Sequence, residues 1–401
     1  MESLASTFAK ISTQTETLEV ARKHQRLYIG IPRETTLQEN RVALVPHSVA
    51  TLTAHGHRVV VEAGAGEKAR FNDMDYTEAG AEIAHSHEEV FKADMLLKAA
   101  PPTLEEIALM RPNQVVVSPI HLPLLKPEYI IELQKRRVIA LAMEYIRDTG
   151  TGVFPIVRVM SEIAGTSAIL IGADLLSTAR GGKGVLLGGI AGVPPAKVII
   201  LGAGVVAEFA SRTAIGLGAE VRIFDNNVYK LMRLQKHVGR QLHTSVINPM
   251  HLTEQLITAD VAIGAMHSGH GRTPMVVPEE IVQRMKPGSV IVDVSIDQGG
   301  VFETSQTTSL DKPTFVKHGV IHYCVPNIPS RVARTASDAI SNIITSLLLK
   351  AETGGILPLI TGDEGLRNGV YTYKGCLTNA YLGERFQLKS TDLDLLIMSD
   401  F

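Results

Sequence analysis

The sequence predicts an α/β protein of two domains, because short apolar strands alternate with helical segments along most of its length. At 401 residues, the chain is long enough for two domains of about 100–200 residues each. A glycine-rich connection between Arg180 and Pro195 separates two such alternating series. Strands that alternate with helices usually pair in parallel, so each domain is expected to hold a helix-covered parallel sheet.

The first series follows a polar segment that we interpret as a leader over residues 1–26. A helix is predicted over Ser48–His55, among short branched apolar strands. These strands are predicted at Leu27–Ile31, Arg58–Glu62, Asp94–Leu97, Val115–Ser118 and Val138–Ala142. The second series has strands predicted at Val198–Leu201, Glu220–Asp225, Thr244–Ile247, Asp260–Gly264, Ser289–Val294 and Ile321–Tyr323. Six strands in this alternation are typical of a doubly wound nucleotide-binding domain.

A glycine turn joins the first strand of the second series to a helix, in the order Gly202, Gly204 and Ala207. Gly202 allows the tight turn, Gly204 leaves room for phosphates, and Ala207 lets the helix pack close to the strand. The helix directs its free N–H groups and positive dipole end at the phosphates. Asp225 ends the next strand, where its carboxylate can accept hydrogen bonds from a ribose and repel a 2′-phosphate. These features predict a Rossmann-type domain that binds NAD rather than NADP.

Composition argues against several classes of protein. The 39 basic and 41 acidic residues leave a formal net charge of −2, which gives no electrostatic reason to expect nucleic acid or an anionic membrane as a partner. No apolar run reaches about 18 residues, so no membrane span is expected. Residues 1–24 lack the apolar block of a signal peptide. Cys324 and Cys376 cannot form a disulfide framework, and so few cysteines fit a reducing compartment, so we expect a cytoplasmic protein.

The C-terminal region follows Pro329. An amphipathic helix is predicted over Asp338–Leu349, and its apolar side is a candidate oligomer interface. The remainder is predicted to be helical and to fold back onto the first domain, which makes the cofactor domain an insertion. We therefore expect a substrate domain formed by residues 27–155 and 334–401, with the NAD domain at residues 156–333.

Long motifs follow one another from about Leu27 to the C-terminal helices. They are Ile31–Thr35, Asn40–Pro46, Glu62–Gly66, Met160–Gly165, Val294–Gly300 and Tyr323–Pro329. In this order they resemble the family of alanine dehydrogenases and the transhydrogenase α subunit. His121 and the run Asp297–Gly300 favour the dehydrogenase branch. The resemblance implies NAD-dependent oxidative deamination of L-alanine to pyruvate and ammonium, together with the reverse reaction, by a homo-oligomer that is a hexamer in most relatives.

The resemblance assigns catalytic roles to His121 and Asp297 and substrate binding to Arg41. A guanidinium suits the substrate carboxylate because it offers two parallel hydrogen bonds. His121 follows the strand Val115–Ser118, at the end where open α/β sheets place their sites, and its imidazole can exchange protons near neutral pH. Asp297 is expected to orient the attacking water and to stabilise the imine cation.

One departure from the family concerns its substrate-binding lysine. Relatives have a Lys-x-Lys arrangement, whereas Lys98 is followed here by Ala100 at the second position. Losing a charged hydrogen-bond partner usually costs about 1.5–3 kcal/mol. Lys98 could reach the substrate, although the family has this lysine as well and is expected to use it elsewhere. The alternatives are weaker alanine activity, a related NAD-dependent oxidoreductase for another amino or imino acid, and an NAD(H)-binding protein that has lost turnover.

The resemblance also implies further cofactor contacts around the glycine turn. They are expected at Ser161, Lys230, Met266, His267, Val294, Val325, Asn327 and Ile328. A solvated surface lysine is an equally good interpretation of Lys230. The histidine pairs at 85 and 87 and at 267 and 270 lack a third ligand in register, so no metal site is expected.

Overall fold

The structure is a computed structural model that describes residues 26–36, 38–122, 125–268, 271–353 and 355–398. All but the last residue of the predicted leader lies outside these ranges. In chain order, the strands of the described residues are β1 (Tyr28–Ile31), β2 (Arg58–Glu62), β3 (Glu82–Ala84), β4 (Met95–Leu97), β5 (Val115–Ser118), β6 (Ile139–Ala142), β7 (Lys197–Leu201), β8 (Glu220–Phe224), β9 (His243–Ser245), β10 (Val261–Gly264), β11 (Val290–Asp293), β12 (Thr314–Lys317), β13 (Val320–Tyr323), β14 (Val370–Tyr373) and β15 (Cys376–Leu377).

Helices connect most of these strands. The α-helices of the described residues are α1 (Pro46–Ala54), α2 (Asp73–Glu78), α3 (His87–Val90), α4 (Leu104–Leu109), α5 (Pro127–Arg136), α6 (Pro155–Leu175), α7 (Val205–Gly216), α8 (Val228–Val238), α9 (Pro249–Leu256), α10 (Glu279–Val282), α11 (Ala333–Leu348), α12 (Ile356–Gly362), α13 (Glu364–Arg367), α14 (Ala380–Phe386) and α15 (Leu393–Met398). Short 3₁₀ turns include Glu67–Ala69 and Val294–Gln298.

The strands form two mainly parallel sheets. The first has the order β15-β14-β6-β5-β4-β1-β2-β3 and the second the order β12-β13-β11-β10-β7-β8-β9. Central strands such as β5 and β10 are buried along their whole length, because helices cover both faces of each sheet. This burial explains why they consist of continuous apolar residues rather than alternating ones. The two-domain α/β prediction, with a Rossmann-type second sheet, is confirmed.

The C-terminal prediction was partly wrong. Residues expected to be helical form β14 and β15, which extend the first sheet through an antiparallel pairing of β14 with β6. Val370 to Tyr373 are branched or aromatic residues, which favour a strand once a sheet edge is available. These strands return to the first sheet after the second sheet is complete, so the second sheet is an insertion. The residue boundaries given for the two domains stay a prediction.

Helix α11 has a different role in the structure from the oligomer interface predicted for its apolar side. It begins at Ala333, five residues before the predicted start, and its apolar residues Ile340, Ile344 and Leu348 lie in the core of the first domain. That side of the helix is therefore buried within the chain. It is not available as the oligomer interface that its amphipathic pattern suggested.

Helix α6 bears on the expectation that no membrane span occurs, which was based on the absence of a continuous apolar run. Among the described residues, α6 is an unbroken helix that is long and apolar enough to cross a membrane, judged by length and composition alone. The core helix of a soluble protein passes the same test. Here Gly165 lies so close to α7 that an added Cβ would be 2.3 Å from the Val206 carbonyl oxygen. The helix is therefore packed tightly onto the second sheet's layer of helices.

Candidate active site

The predicted site residues follow the carboxyl ends of parallel strands in both sheets. Lys98 and Ala100 follow β4, and His121 follows β5, while Asp297 follows β11. In the second sheet Gly202 follows β7, and Asp225 follows β8. Open parallel sheets bind ligands at this edge because the loops there diverge and leave a crevice.

Arg41 is buried, with 6% of its surface exposed. Its Nε and Nη2 donate to the two carboxylate oxygens of Glu39 at 2.8 and 2.6 Å. Nη2 also donates to the Ala99 carbonyl oxygen at 3.2 Å, and Nη1 donates to the Met160 sulfur at 3.3 Å. A thioether is a weak acceptor, so Nη1 is the donor best able to turn to a substrate carboxylate.

Asn327 connects Arg41 to Asp297 through Glu39. Its side-chain amide donates to Glu39 Oε2 at 2.9 Å, and its backbone N–H donates to Asp297 Oδ1 at 3.2 Å. Asn327 adopts a left-handed conformation with φ of 55°, which asparagine tolerates better than most residues. One residue of the second domain thus contacts both the arginine pair and the predicted catalytic acid.

The loop that carries Arg41 is fixed by three buried serines that the sequence analysis missed. Backbone N–H groups of the loop donate to their hydroxyl oxygens at 2.9–3.0 Å. The pairs are Asn40 with Ser330, Val42 with Ser337, and Val45 with Ser341. The serines face inwards on the segment leading into α11 and on α11 itself. A run of serines on the buried side of an otherwise apolar helix was the available signal.

His121 lies in a left-handed conformation, with φ of 47°. The backbone N–H groups of Ile120 and His121 both donate to Glu144 Oε1, at 2.8 and 3.3 Å. Burial lowers the pKa of His121 to about 4, and the positive charge of Arg41 lowers it further than burial alone. The imidazole is therefore neutral at physiological pH and able to accept a proton.

Glu144 is a site residue that the sequence analysis overlooked. It follows β6, at the same sheet edge as His121, and that position was the only signal in the sequence. Burial raises the pKa of its carboxyl group. By accepting both backbone N–H groups it holds the His121 loop in a conformation that histidine rarely adopts.

Asp297 is accessible to solvent but surrounded by protein within the crevice. The protein around the carboxylate excludes water and raises the pKa of Asp297 to about 6, although the Asn327 N–H group and the charge of Arg41 both act to lower it. The charge of Arg41 also acts on His121, so the structure brings all three predicted residues together. Asp297 is mostly ionised at neutral pH and close to titration below it.

Lys98 does not have the environment expected of a substrate ligand. Its side chain is 1% exposed, and Nζ donates to Glu34 Oε2 and Glu106 Oε1, both at 2.9 Å. These two carboxylates neutralise the ammonium group inside the protein, so its charge is already used. The predicted substrate contact of Lys98 is therefore not supported by its geometry, and Ala100 beside it offers only a methyl group.

The glycine turn has the shape that a dinucleotide pyrophosphate requires. Gly202 has a φ of 115°, and an added Cβ would lie 2.3 Å from the Ala265 carbonyl oxygen. A Cβ on Gly204 would meet nothing within 4 Å, so space is open in front of it. No side chain caps the first N–H groups of α7, and Ala207 is fully buried. Asp225 accepts hydrogen bonds from the Ala203 and Asn227 N–H groups at 2.8 Å each.

The remaining predicted cofactor residues fall into two groups. Lys230 and His267 are exposed, and Ser161, Met266, Val294 and Asn327 are half-buried, so their side chains can reach a ligand. The protein surrounding the His267 ring partly desolvates it and lowers its pKa, and the Lys230 ammonium lowers that pKa further, so these side chains are near neighbours. By contrast, Val325 and Ile328 are core side chains with 0% and 2% exposure. A cofactor can contact these two only through their backbone.

No group of three histidine, cysteine or acidic side chains suited to a metal ion occurs in the described part of the chain. The partner proposed for His267 at position 270 lies outside that part. His87 instead forms ion pairs with Glu62 and Glu106.

Gly204 and Gly202 allow cofactor binding to be separated from folding. Gly204→Ala is expected to leave the melting temperature unchanged or slightly raised, because the new methyl group meets no protein atom. It should weaken NADH binding, because that methyl group occupies the space predicted for phosphate. Gly202→Ala should lower the melting temperature, because it combines a left-handed backbone with a clash. NADH titration by fluorescence and thermal melting measure the two effects. Gly216→Ala, also free of contacts, is the control, and equal NADH affinity in the Gly204 and Gly216 variants would contradict the prediction.

Comparison with known proteins shows the family of this chain. The family model described as Alanine dehydrogenase/PNT, N-terminal domain matches residues 30–164, and its C-terminal counterpart matches residues 168–380. An alanine dehydrogenase of Bacillus subtilis is 41% identical over 353 residues, which are 88% of this chain and 93% of that protein. Alanine dehydrogenase 2 of Staphylococcus aureus is 39% identical over 363 residues, which are 90% of this chain and 97% of that protein.

Solved structures agree with these sequence matches. A structure of L-alanine dehydrogenase superposes with a TM-score of 0.84 at 38% identity, covering 90% of this chain and 99% of that one. A transhydrogenase from Sinorhizobium meliloti superposes with a TM-score of 0.74 at 27% identity, covering 88% and 99%. The resemblance seen in the sequence motifs is confirmed over almost the whole described chain. The chain belongs to the alanine dehydrogenase/PNT family.

Proposed function

We propose that this chain catalyses the NAD-dependent oxidative deamination of L-alanine to pyruvate and ammonium, and the reverse reductive amination. The observation that carries the proposal is the grouping of a buried guanidinium, a neutral imidazole and a carboxylate beside an open glycine turn. The relatives named alanine dehydrogenase, at about 40% identity over most of the chain, support the same reaction.

Arg41 binds the substrate carboxylate. Glu39 holds two of its nitrogens in a fixed plane, so the guanidinium keeps one orientation without reorganising when the substrate arrives. Nη1 exchanges its weak bond to the Met160 sulfur for a charged one to the substrate. This contact places the substrate Cα between the two domains, near His121 and Asp297.

The proton steps fall to His121 and Asp297. The neutral imidazole of His121 takes a proton from the substrate ammonium or from the attacking water, since the amine must be neutral before hydride leaves. Asp297 stabilises the positive imine carbon and nitrogen by its charge and orients the water that adds to them. When bound, NAD supplies the hydride acceptor. Residues Gly202, Gly204 and Asp225 would hold it, with the exposed and half-buried residues of the crevice around it.

A test with several substrates discriminates this proposal from its alternatives. NADH formation is followed with a panel of L-amino acids, and NADH consumption with pyruvate plus ammonium. Turnover of alanine above all others supports the proposal, and preference for another amino acid selects the related oxidoreductase. Tight NADH binding without any turnover would show that catalysis has been lost. An Ala100→Lys variant with raised alanine activity would identify this position as the cause of a weak wild-type rate.

Asp297 predicts a specific pH dependence for alanine deamination. Its pKa of about 6 means that the carboxylate becomes protonated as the pH falls through 6, which removes the stabilising charge. We expect log kcat/KM to fall more steeply with decreasing pH below about 6 than above it. In Asp297→Asn the overall rate should be lower and this change of slope should be absent, because the variant has no carboxyl group to titrate there. Titration of alanine's own amine affects both proteins equally, so the comparison isolates Asp297. An unchanged break near pH 6 in the variant would assign it to another group.

We further propose that the protein is a cytoplasmic homo-oligomer, a hexamer as the resemblance implies, without a membrane partner. The similarity to proteins named alanine dehydrogenase and the close packing of α6 against α7 support this assignment. Light scattering coupled to gel filtration measures the oligomer number directly. A monomer in solution would contradict the homo-oligomer, and recovery of the protein only in the presence of detergent would contradict the absence of a membrane partner.

A further inference from the structure

A buried group of charges lies behind the substrate-binding arginine. It consists of five side chains, here called the charge cluster: Glu34, Glu62, His87, Lys98 and Glu106. Lys98 Nζ is bound to Glu34 and Glu106 at 2.9 Å each. His87 lies between Glu62, 2.7 Å from Nδ1, and Glu106, 3.1 Å from Nε2. The mechanism above uses none of these five side chains.

The charge cluster is connected to Arg41 by one short path. Glu34 Oε1 accepts hydrogen bonds from the backbone N–H groups of Ala99 and Ala100, at 2.6 and 3.3 Å. The carbonyl oxygen of the same Ala99 accepts the hydrogen bond from Arg41 Nη2. Glu34 therefore fixes the peptide that positions the guanidinium, and Lys98 holds the other oxygen of Glu34.

His87 is the most exposed member of the charge cluster, with 20% of its side chain accessible. Its ring packs against the Phe91 ring, with 4.6 Å between the centroids and a tilt of 33° between the ring planes. Hydrogen bonds to Glu106 and Glu62 raise the pKa of His87 to about 9, so it is a cation at neutral pH. With it, the three carboxylates of the charge cluster are matched by two cations of the cluster. Without it, Lys98 is the one cation left within the cluster, while Arg33 acts on Glu62 and Arg41 on Glu34 from outside it.

We propose that His87 is a positioning residue for substrate binding, acting through Glu106, Lys98 and Glu34 on the Ala99 segment that orients Arg41. The proposal rests on the proposed function, because it assigns Arg41 to the substrate carboxylate. If His87 is lost, Glu106 has no second cation and draws the Lys98 ammonium away from Glu34. Glu34 then holds the Ala99 and Ala100 N–H groups less firmly, and the Ala99 carbonyl no longer fixes Arg41.

The experiment compares His87→Gln, His87→Lys and His85→Gln with the wild type. His87→Gln removes the charge, His87→Lys keeps a cation, and His85→Gln is the matched control at an exposed neighbouring histidine. The readouts are KM for alanine, kcat, the NADH dissociation constant and the melting temperature. We expect His87→Gln to raise KM for alanine roughly two- to thirtyfold, with NADH affinity unchanged and kcat affected less than KM. His87→Lys should recover most of the loss, and His85→Gln should match the wild type.

Several outcomes would overturn the proposal. These are an unchanged KM in His87→Gln, an equal weakening of NADH binding, or failure of the lysine variant to restore KM although it is as stable as the wild type. If His87→Gln does not fold, His87→Asn replaces it, because this smaller amide also removes the cation that lies between Glu62 and Glu106. A raised KM for alanine with unchanged NADH affinity again supports the proposal, and an unchanged KM opposes it. Wild-type protein without alanine turnover would instead contradict the proposed function itself, so the two failures are distinguishable.

Discussion

Replacing His121 by asparagine is expected to lower kcat for alanine deamination by about 10²–10⁴ while NADH binding stays unchanged. This is the usual contribution of a positioned general base. Asparagine tolerates the left-handed backbone that His121 adopts, and Glu144 accepts only backbone N–H groups there, so the loop should keep its shape. An amide is a far weaker base than an imidazole, and the His121 imidazole is neutral, so that one ring nitrogen keeps a lone pair for the proton.

His318→Asn is the matched control for this variant. His318 has a similar left-handed backbone, with φ of 54°, and lies on the turn between β12 and β13. The same substitution at this position tests the effect of losing a histidine from such a turn without touching the crevice. Steady-state rates and NADH titration of both variants measure the difference. A His121→Asn enzyme whose kcat stays within threefold of the wild type would remove His121 from the mechanism.

Replacing Arg41 by methionine is expected to impair both catalysis and folding. Loss of a charged hydrogen bond to the substrate carboxylate should lower kcat/KM by roughly 10–10², from about 1.5–3 kcal/mol. The free energy of unfolding should also fall by about 3–5 kcal/mol, because Glu39 becomes a buried carboxylate without its cation. Burial opposes the ionised form of Glu39, and Arg41 is the main group that lowers its pKa.

A second substitution separates the two effects of losing Arg41. Adding Glu39→Gln to Arg41→Met removes the unpaired buried charge, so stability should partly recover while activity stays low. Arg58→Met is the control, because Arg58 forms the same two-pronged pair with Glu82 at the surface, where both side chains are 54% exposed. Exposed ion pairs contribute about 0.2–1 kcal/mol to the free energy of unfolding, so Arg58→Met should lower stability much less than Arg41→Met. Activity that recovers along with stability in the double variant would mean that Arg41 has only a structural role. Denaturant unfolding and kcat/KM measure the two quantities.

Prediction from sequence succeeded where local pattern and chain order are decisive. Six of the seven strands of the second sheet were located within two residues, because buried parallel strands are continuous apolar runs that need no knowledge of their neighbours. The seventh, β12, was missed because it is a partly exposed antiparallel strand at the sheet edge. The Gly202 turn could be recognised because its φ of 115° and close contact with Ala265 exclude other residues. Strands β14 and β15 were missed because short segments become strands only when an existing sheet edge accepts them.

The site was predictable in its residues but not in their connections. Arg41, His121 and Asp297 were identified by resemblance, and the structure places Arg41 close enough for its charge to act on both of the others. Glu144 and Asn327 act through hydrogen bonds to backbone groups or to residues distant in sequence, and Glu39 joins Asn327 to its near neighbour Arg41. No spacing rule connects such pairs. Lys98 was named as a substrate residue that the family is also expected to use elsewhere, and only the fold shows that two carboxylates bind its ammonium group.

The amino-acid sequence by itself determined the α/β class, the two sheets and the dinucleotide turn, because alternation of apolar runs and obligatory glycines are properties of neighbouring residues. Only the tertiary structure decided which charges are available for chemistry. Burial and the charge of Arg41 set the protonation states of His121 and Asp297. Glu34 and Glu106, brought in by other parts of the chain, neutralise Lys98. The physical reason is that the free energy of a charge depends on the dielectric and the opposite charges around it, and these come from residues far away in the chain.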